Sequence, residues 1–339
     1  MSALPMLHAS GTVLAGPDWI HFDTTSLHQL FWVDTFSGLT YGAIYALIAL
    51  GYTLVYGLLK LINFAHSEVF ISGAFAAYFT LKLCGFSPGL AYATGMIGIV
   101  GFLVLATVVA AGVSSGVALL VERVAYKPLR SRNAPSLVFL ITAIGASLAI
   151  QQIIFVWRGA NAEPSIQLVI PQPELQVFSA TINNLQITIV IAAIVLMFVI
   201  DQFIRRTRIG RGIRAVAQDP TTATLMGVNR ERVIMQTFMI GGIAAGIAAS
   251  FYIMYIPSGV IYNGGFLLGI KAFVAAVLGG IGNLRGALLG GLILGLAETY
   301  GSTLFGSAWH DVVAYVLLIV VLMFRPTGLL GESLGKSRA

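Results

Sequence analysis

Long uncharged runs separated by short polar stretches dominate this chain. The runs at 35–59, 83–121, 133–157, 175–200 and 233–270 contain no Asp, Glu, Lys or Arg. A helix needs about 20 apolar residues to cross a bilayer, so these runs alone supply roughly five or six crossings. The pattern predicts crossings near 35–59, 66–83, 89–121, 135–157, 185–204 and 234–256. In the last third, apolar pieces at 266–284, 286–305 and 309–325 complete nine crossings if 283–285 is a cytoplasmic turn. A re-entrant glycine-rich region there lowers the count. The run at 83–121 is too long for one straight span and is expected to be broken or strongly tilted. The expected fold class is all-α: a polytopic helical membrane protein with about eight to nine crossings.

Composition agrees. The 339 residues are 58% hydrophobic and 9% charged, against roughly 25% charged in a soluble domain. The net charge of +6 does not point to nucleic acid, because the basic residues sit in short loops, as cytoplasmic loops of membrane proteins do. Four lie in 123–132, seven in 205–232 and three in the tail (Arg325, Lys336, Arg338); with Lys60 they make fifteen of the 19. This places those segments and the C-terminus inside and the N-terminus outside. The run 161–184, polar and free of Lys and Arg, also falls outside. Residues 1–34 have no Lys or Arg and no long apolar run, so they read as an extracytoplasmic tail, not a cleavable signal. Residues 35–331 form the transmembrane domain, and 332–339 a cytoplasmic tail. A single cysteine, Cys84, excludes an internal disulfide.

The segment 205–232 is a polar island with seven arginines against only Asp219 and Glu231. Inside it, Asp219 reads as an N-cap, Pro220 as the first helical residue and Gly227 as the helix stop. A short capped helix over 220–226 follows, on an arginine-rich loop that a cytoplasmic partner can grip. Arg214, Asp219, Pro220, Thr224 and Gly227 are the candidate coupling residues.

Two apolar segments are interrupted. The first break, 62–68, carries Asn63, His66, Ser67 and Glu68; the second, 277–286, carries Gly279, Gly280 and Gly282. Paired interruptions in the two halves of a transporter mark a central pathway, and the helices at 35–59 and 234–256 run in opposite directions, which suggests an inverted repeat. An ionisable residue at membrane depth is a functional candidate by default. The competing reading is that the polar residues of the first break merely cap the half-helix that begins near Val69. Glu298 faces the same choice, with Lys271 or Arg285 as its pairing partner, while His310 and Asp311 read as an interfacial helix end. Small residues spaced by four, at Gly242/Gly246/Ser250, Gly282/Gly286/Gly290 and Gly291/Gly295, read first as packing inside the bundle and second as contact with another membrane subunit.

No enzyme motif appears. Residues 331–337 imitate a phosphate-binding loop, but three residues separate the glycines where four are needed. No metal-ligand spacing occurs, and no cofactor is expected. The residues alone leave open a stand-alone carrier or channel with inverted repeats. The protruding capped loop points instead to a transporter component whose energy source lies elsewhere.

At these same residues the chain resembles a known family. The stretches GLTYGAIYALIALGYTLVYGLLKLINFAHSEVFISGAFA (38–76), ERVAYKPLR (122–130), the capped loop at 211–229, KAFVAAVLGGIGNLRGALLGG (271–291) and RPTGLLG (325–331) resemble the membrane permeases of branched-chain amino acid ABC importers. The resemblance spans about 35–331 and is to the first of the two permease types such systems encode. It implies import of Leu, Ile, Val or a related small solute; relatives in this family include urea and short-chain amide permeases. It implies a second permease subunit, two cytoplasmic ATPase subunits and an extracytoplasmic binding protein, in a bacterial cytoplasmic membrane. It also implies that 214–229 docks in an ATPase groove. The 34-residue tail is longer than the family pattern and leaves open an interfacial helix at 20–32.

Overall fold

The computed structural model describes residues 24–87, 96–166, 175–177 and 180–331. The expected tail is covered only from residue 24, and the phosphate-loop imitation beyond Gly331 lies outside the described residues. The elements are α1 (Thr24–Leu59), α2 (His66–Leu83), α3 (Met96–Val121), a π-helical turn (Glu122–Tyr126), α4 (Lys127–Ser131) and α5 (Ser136–Arg158). After a two-stranded antiparallel hairpin, β1 (Leu175–Val177) and β2 (Ala180–Ile182), come α6 (Asn184–Arg206), α7 (Arg208–Gln218), α8 (Pro220–Leu225) and α9 (Arg230–Tyr255). The chain closes with α10 (Gly264–Gly279), α11 (Leu284–Phe305), a 3-10 turn (Ser307–Trp309) and α12 (His310–Phe324).

The all-helical expectation holds, and among the described residues seven helical stretches are long and apolar enough to cross a membrane. Two further expected crossings are outside these seven: α2, only 18 residues long and opening with His66, Ser67 and Glu68, and α10, 16 residues long. Both are mostly buried in the bundle. α1 starts well before the expected boundary at 35, so residues 24–34 belong to its first turns. The long run at 83–121 is broken as expected: α2 ends at Leu83 and α3 starts at Met96.

Helix ends follow local chemistry. Asn183 opens α6 with a capping box, its side chain accepting from Leu185 N at 3.1 Å while Gln186 Oε1 accepts from Asn183 N at 3.0 Å. Asn229 caps α9 by accepting from Arg232 N at 3.0 Å, and Pro257 stands just past its end.

The small-residue faces pack helix on helix within this chain. A Cβ on Gly246 would fall 2.5 Å from Ala111 Cα of α3, and one on Gly242 2.7 Å from Ser115 Cα. α11 uses two faces: Gly286 and Gly290 meet α10, while Gly291 and Gly295 meet α1. Without a hydrophobic force between helices in lipid, such backbone approach supplies the packing. α1 and α9 thus form the buried centre, and α5, α6 and α12 present apolar faces outward.

Candidate functional site

The arginine-rich segment folds as α7 and α8 laid against one end of the bundle. Thr207 caps α7 by accepting from Gly210 N at 3.0 Å, and Arg214 folds back to donate to Ile204 O at 2.9 Å. Asp219 caps α8, its Oδ1 accepting from Thr221 N at 2.8 Å and Thr222 N at 3.2 Å, while the Thr222 hydroxyl donates to Oδ2. These donors, the Thr222 hydroxyl foremost, hold the Asp219 carboxyl below its ordinary value. Pro220 is the first helical residue, and Thr224 donates its hydroxyl to Pro220 O at 2.8 Å. Gly227, at φ 83°, ends the helix: Gly227 N donates to Thr224 O and Val228 N to Ala223 O, both at 3.0 Å. That pair of bonds is a Schellman motif, and it needs the left-handed backbone that glycine adopts without strain. The helix ends at Leu225, one residue before the expected 226.

Ile213, Val216 and Ala223 are buried beside Val55, Leu58 and Phe238, which seats the segment on the bundle. Leu225 and Met226 at its tip are instead 82% and 81% exposed. The sequence reading missed these two. A polar, arginine-rich segment that shows two adjacent apolar side chains at its turn was the available signal.

The two breaks meet. A Cβ on Gly57, near the end of α1, would lie 3.6 Å from Gly282 Cα of the second break. Beside them is a cavity of about 10 Å³, enough for roughly one water molecule. Ile62 and Asn63 of the first break and Ile281 of the second line it. Tyr52 and Tyr56 of α1 and Phe273 and Ala276 of α10 complete the wall; they stand four and three residues apart on their helices, so each pair shares a face. Both breaks lie at the same end of the bundle, each at the bend between two helices (α1 and α2, α10 and α11). The inverted pairing of 35–59 with 234–256 is therefore not how they correspond, since α10 stands between α9 and the second break.

Of the residues expected on the route, Asn63 lines the cavity and Gly282 adjoins it. Asn63 also holds the break together: its Oδ1 accepts from Ala65 N at 3.1 Å and from the Tyr126 hydroxyl at 2.9 Å. His66 is buried edge-on to Tyr52, with ring centroids 4.9 Å apart, and Ser67 donates its hydroxyl to Phe64 O at 2.8 Å. Glu68 is fully buried. Its Oε1 accepts from Ser147 at 3.2 Å, Gln151 at 3.2 Å and Ser67 at 3.4 Å, while Oε2 has no partner among the described residues. Gly279 and Gly280 are contact glycines. A Cβ on Gly279 would meet Gly286 O at 1.9 Å, and one on Gly280 would meet Gly331 N at 2.4 Å. The C-terminal segment 325–331 clasps the second break, Leu329 N donating to Leu278 O at 2.8 Å and Leu330 N to Gly279 O at 2.9 Å.

Comparison with known proteins decides the family. A family profile described as branched-chain amino acid transport system / permease component matches residues 35–322. The chain belongs to this family. It is 42% identical to the high-affinity branched-chain amino acid transport system permease protein BraD of Pseudomonas aeruginosa, over 87% of this chain and 94% of that one. It is 42% identical to the permease protein LivH of Escherichia coli K12, over 89% and 96%. A probable LivH of Methanocaldococcus jannaschii is 28% identical over 86% and 90%. This permease is accordingly a multi-pass protein of the inner membrane.

In the permease, Glu298 stands apart from the breaks, about 20 Å along α11 from Leu284 at the usual helical rise. It is fully buried and pairs with Lys271, Nζ to Oε1 3.2 Å, while Tyr45 donates its hydroxyl to Oε2 at 2.8 Å. Lys271 also reaches Asp311 at 2.6 Å and His310 Nδ1 at 3.0 Å. The expected Lys271 partner is therefore right, and Arg285 turns elsewhere, to Asp201 at 3.0 Å. His310 and Asp311, expected as a mere helix end, join this charge cluster, because the bend before α12 brings its first turn over Lys271. Their sequence separation from Lys271 hid the contact.

Proposed function

We propose that this chain is the transmembrane subunit of an ATP-driven importer of leucine, isoleucine and valine, energised by separate ATPase subunits that dock on α8. The observation that carries the reading is the capped α8 with Leu225 and Met226 exposed at its tip. On this reading the basic segments and the C-terminus face the cytoplasm and the N-terminus faces outside. The polypeptide then passes nine times through the membrane layer, counting the short α2 and α10. The names of the relatives support the substrate class. The complex would hold a second permease subunit, two ATPase subunits and an extracytoplasmic binding protein. The small cavity between the breaks is the closed part of the route.

The test is a Leu225→Glu/Met226→Glu double variant in the assembled importer. A charge on each apolar tip residue is expected to abolish copurification of the ATPase subunits and leucine uptake, with membrane insertion unchanged. Normal copurification and uptake would overturn the docking assignment. Competition of labelled leucine uptake by isoleucine and valine, and not by urea, is expected; competition by urea alone would overturn the substrate.

A further inference from the structure

The two exits of the arginine-rich segment are each tied by charged groups to one of the two breaks. At the first exit, Asp201 stands on the last turns of α6. Its Oδ2 accepts from Arg285 Nε at 3.3 Å and Nη2 at 3.0 Å, and its Oδ1 from Arg205 Nε at 2.9 Å. Arg285 is the second residue of α11, at the end of the second break. Its backbone N donates at 3.1 Å to Oδ1 of Asn283, whose Nδ2 donates to Leu330 O at 2.9 Å.

At the other exit, Glu231 is the second residue of α9. It accepts from Arg130 Nε at 3.2 Å and Nη2 at 2.7 Å, and Arg130 Nη2 also reaches Glu122 at 2.5 Å. The Arg130 and Glu122 side chains are both only 5% exposed. Glu122 opens the π-helical turn whose last residue, Tyr126, donates to Asn63 in the first break at 2.9 Å. A π-turn is a marginal helical geometry retained chiefly at functional places.

We propose that Arg285 and Arg130, with Asp201, Glu231 and Tyr126, are positioning residues that convert displacement of α7 and α8 into movement of the two breaks around the cavity. The inference rests on the reading of α8 as the ATPase-docking helix. Its physical basis is a difference in kind between two contacts. Ile213, Val216 and Ala223 hold the segment to the bundle by apolar contact, which is non-directional and tolerates sliding. The arginine–carboxylate ties are directional, and forked contacts fix geometry as well as distance. A pull on α7 and α8 therefore slides over the apolar seat and arrives at the ties. The second break can hinge, because Gly280 and Gly282 hold φ of 106° and 97°, a region open to glycine.

The test is made on the assembled importer in proteoliposomes, with leucine uptake and ATP hydrolysis measured together. Arg285→Ala and Asp201→Ala are each expected to lower leucine transported per ATP about tenfold, the scale of an ordinary coupling between sites, with ATPase copurification and basal hydrolysis retained. The exchanged pair Asp201→Arg/Arg285→Asp, made with Arg205→Ala so that the new arginine does not face a like charge one turn away, is expected to restore most of the ratio. Tyr126→Phe, which removes one hydroxyl and no carbon, is expected to lower the ratio severalfold through the other tie. An unchanged ratio in the single variants, or no restoration in the exchanged pair while the complex stays assembled, overturns the proposal. If the wild-type chain captured no ATPase, the docking reading itself would fail, an outcome distinct from these.

Discussion

The first and second breaks meet the same physical demand by different means. Each ends one helix and starts another inside the protein, where unpaired backbone groups are costly. Counted as the bend between helices, the first (60–65) is longer than the second (280–283), and it is held by side chains: Asn63 Oδ1 gathers Ala65 N and the Tyr126 hydroxyl. The second is short, and the carbonyls at the end of α10 are satisfied by backbone N–H groups from residues 329 and 330. It needs glycine because other chain segments come within contact of its Cα atoms. One break is thus vulnerable to losing a polar atom, the other to gaining a carbon.

The sharpest way to break that contrast lies at Gly279. A Cβ there would meet the Gly286 backbone at 1.9 Å, and backbone cannot step aside as a flexible side chain can. Gly279→Val is expected to cost about 3 kcal/mol or more, in the upper range for overpacking. Yield and thermal unfolding of the detergent-purified complex measure it. Wild-type stability would show that the clasped break tolerates bulk after all.

At the first break, Asn63→Ala leaves Ala65 N and the Tyr126 hydroxyl without their acceptor and is expected to cost about 1–3 kcal/mol. Once Asn63 is gone, adding Tyr126→Phe should cost almost nothing further, because the lost partners are shared. Additive effects of the two changes, measured by denaturation of the complex, would mean the side-chain knot is not the support it is taken for.

The smallest effect is expected at Gly282. A Cβ there finds only Gly57 Cα, at 4.0 Å, but φ is 97°, so Gly282→Ala should cost about 1 kcal/mol in backbone strain. If the second break is a hinge, leucine uptake falls by more than this stability change explains. Uptake at the wild-type level would make Gly282 a passive turn.

Much of this was legible in the sequence. The apolar runs placed most helices within a few residues, with the starts of α1 and α3 the main exceptions, because a bilayer imposes length and composition on each crossing separately. Asp219, Pro220 and Gly227 specified α8, since caps and stops are set by residues adjacent in the chain. Asn63 was visible as a polar residue inside an apolar stretch, but the capping role read for it is not what it does: α2 starts at His66 without a side-chain cap, and Asn63 ties the bend to Tyr126 instead.

What the sequence did not show depended on distant partners. Only the fold brings Arg285 to Asp201, Tyr126 to Asn63 and His310 to Lys271, because helix order along a chain does not state which helices become neighbours. Only the fold separates the glycines, placing Gly279 and Gly280 in close contact and Gly282 beside a cavity. Local periodicity and capping determined the helices and the exposed arginine-rich segment. Packing across helices, where a missing Cβ or a buried charge finds its partner, decided which residues surround the cavity.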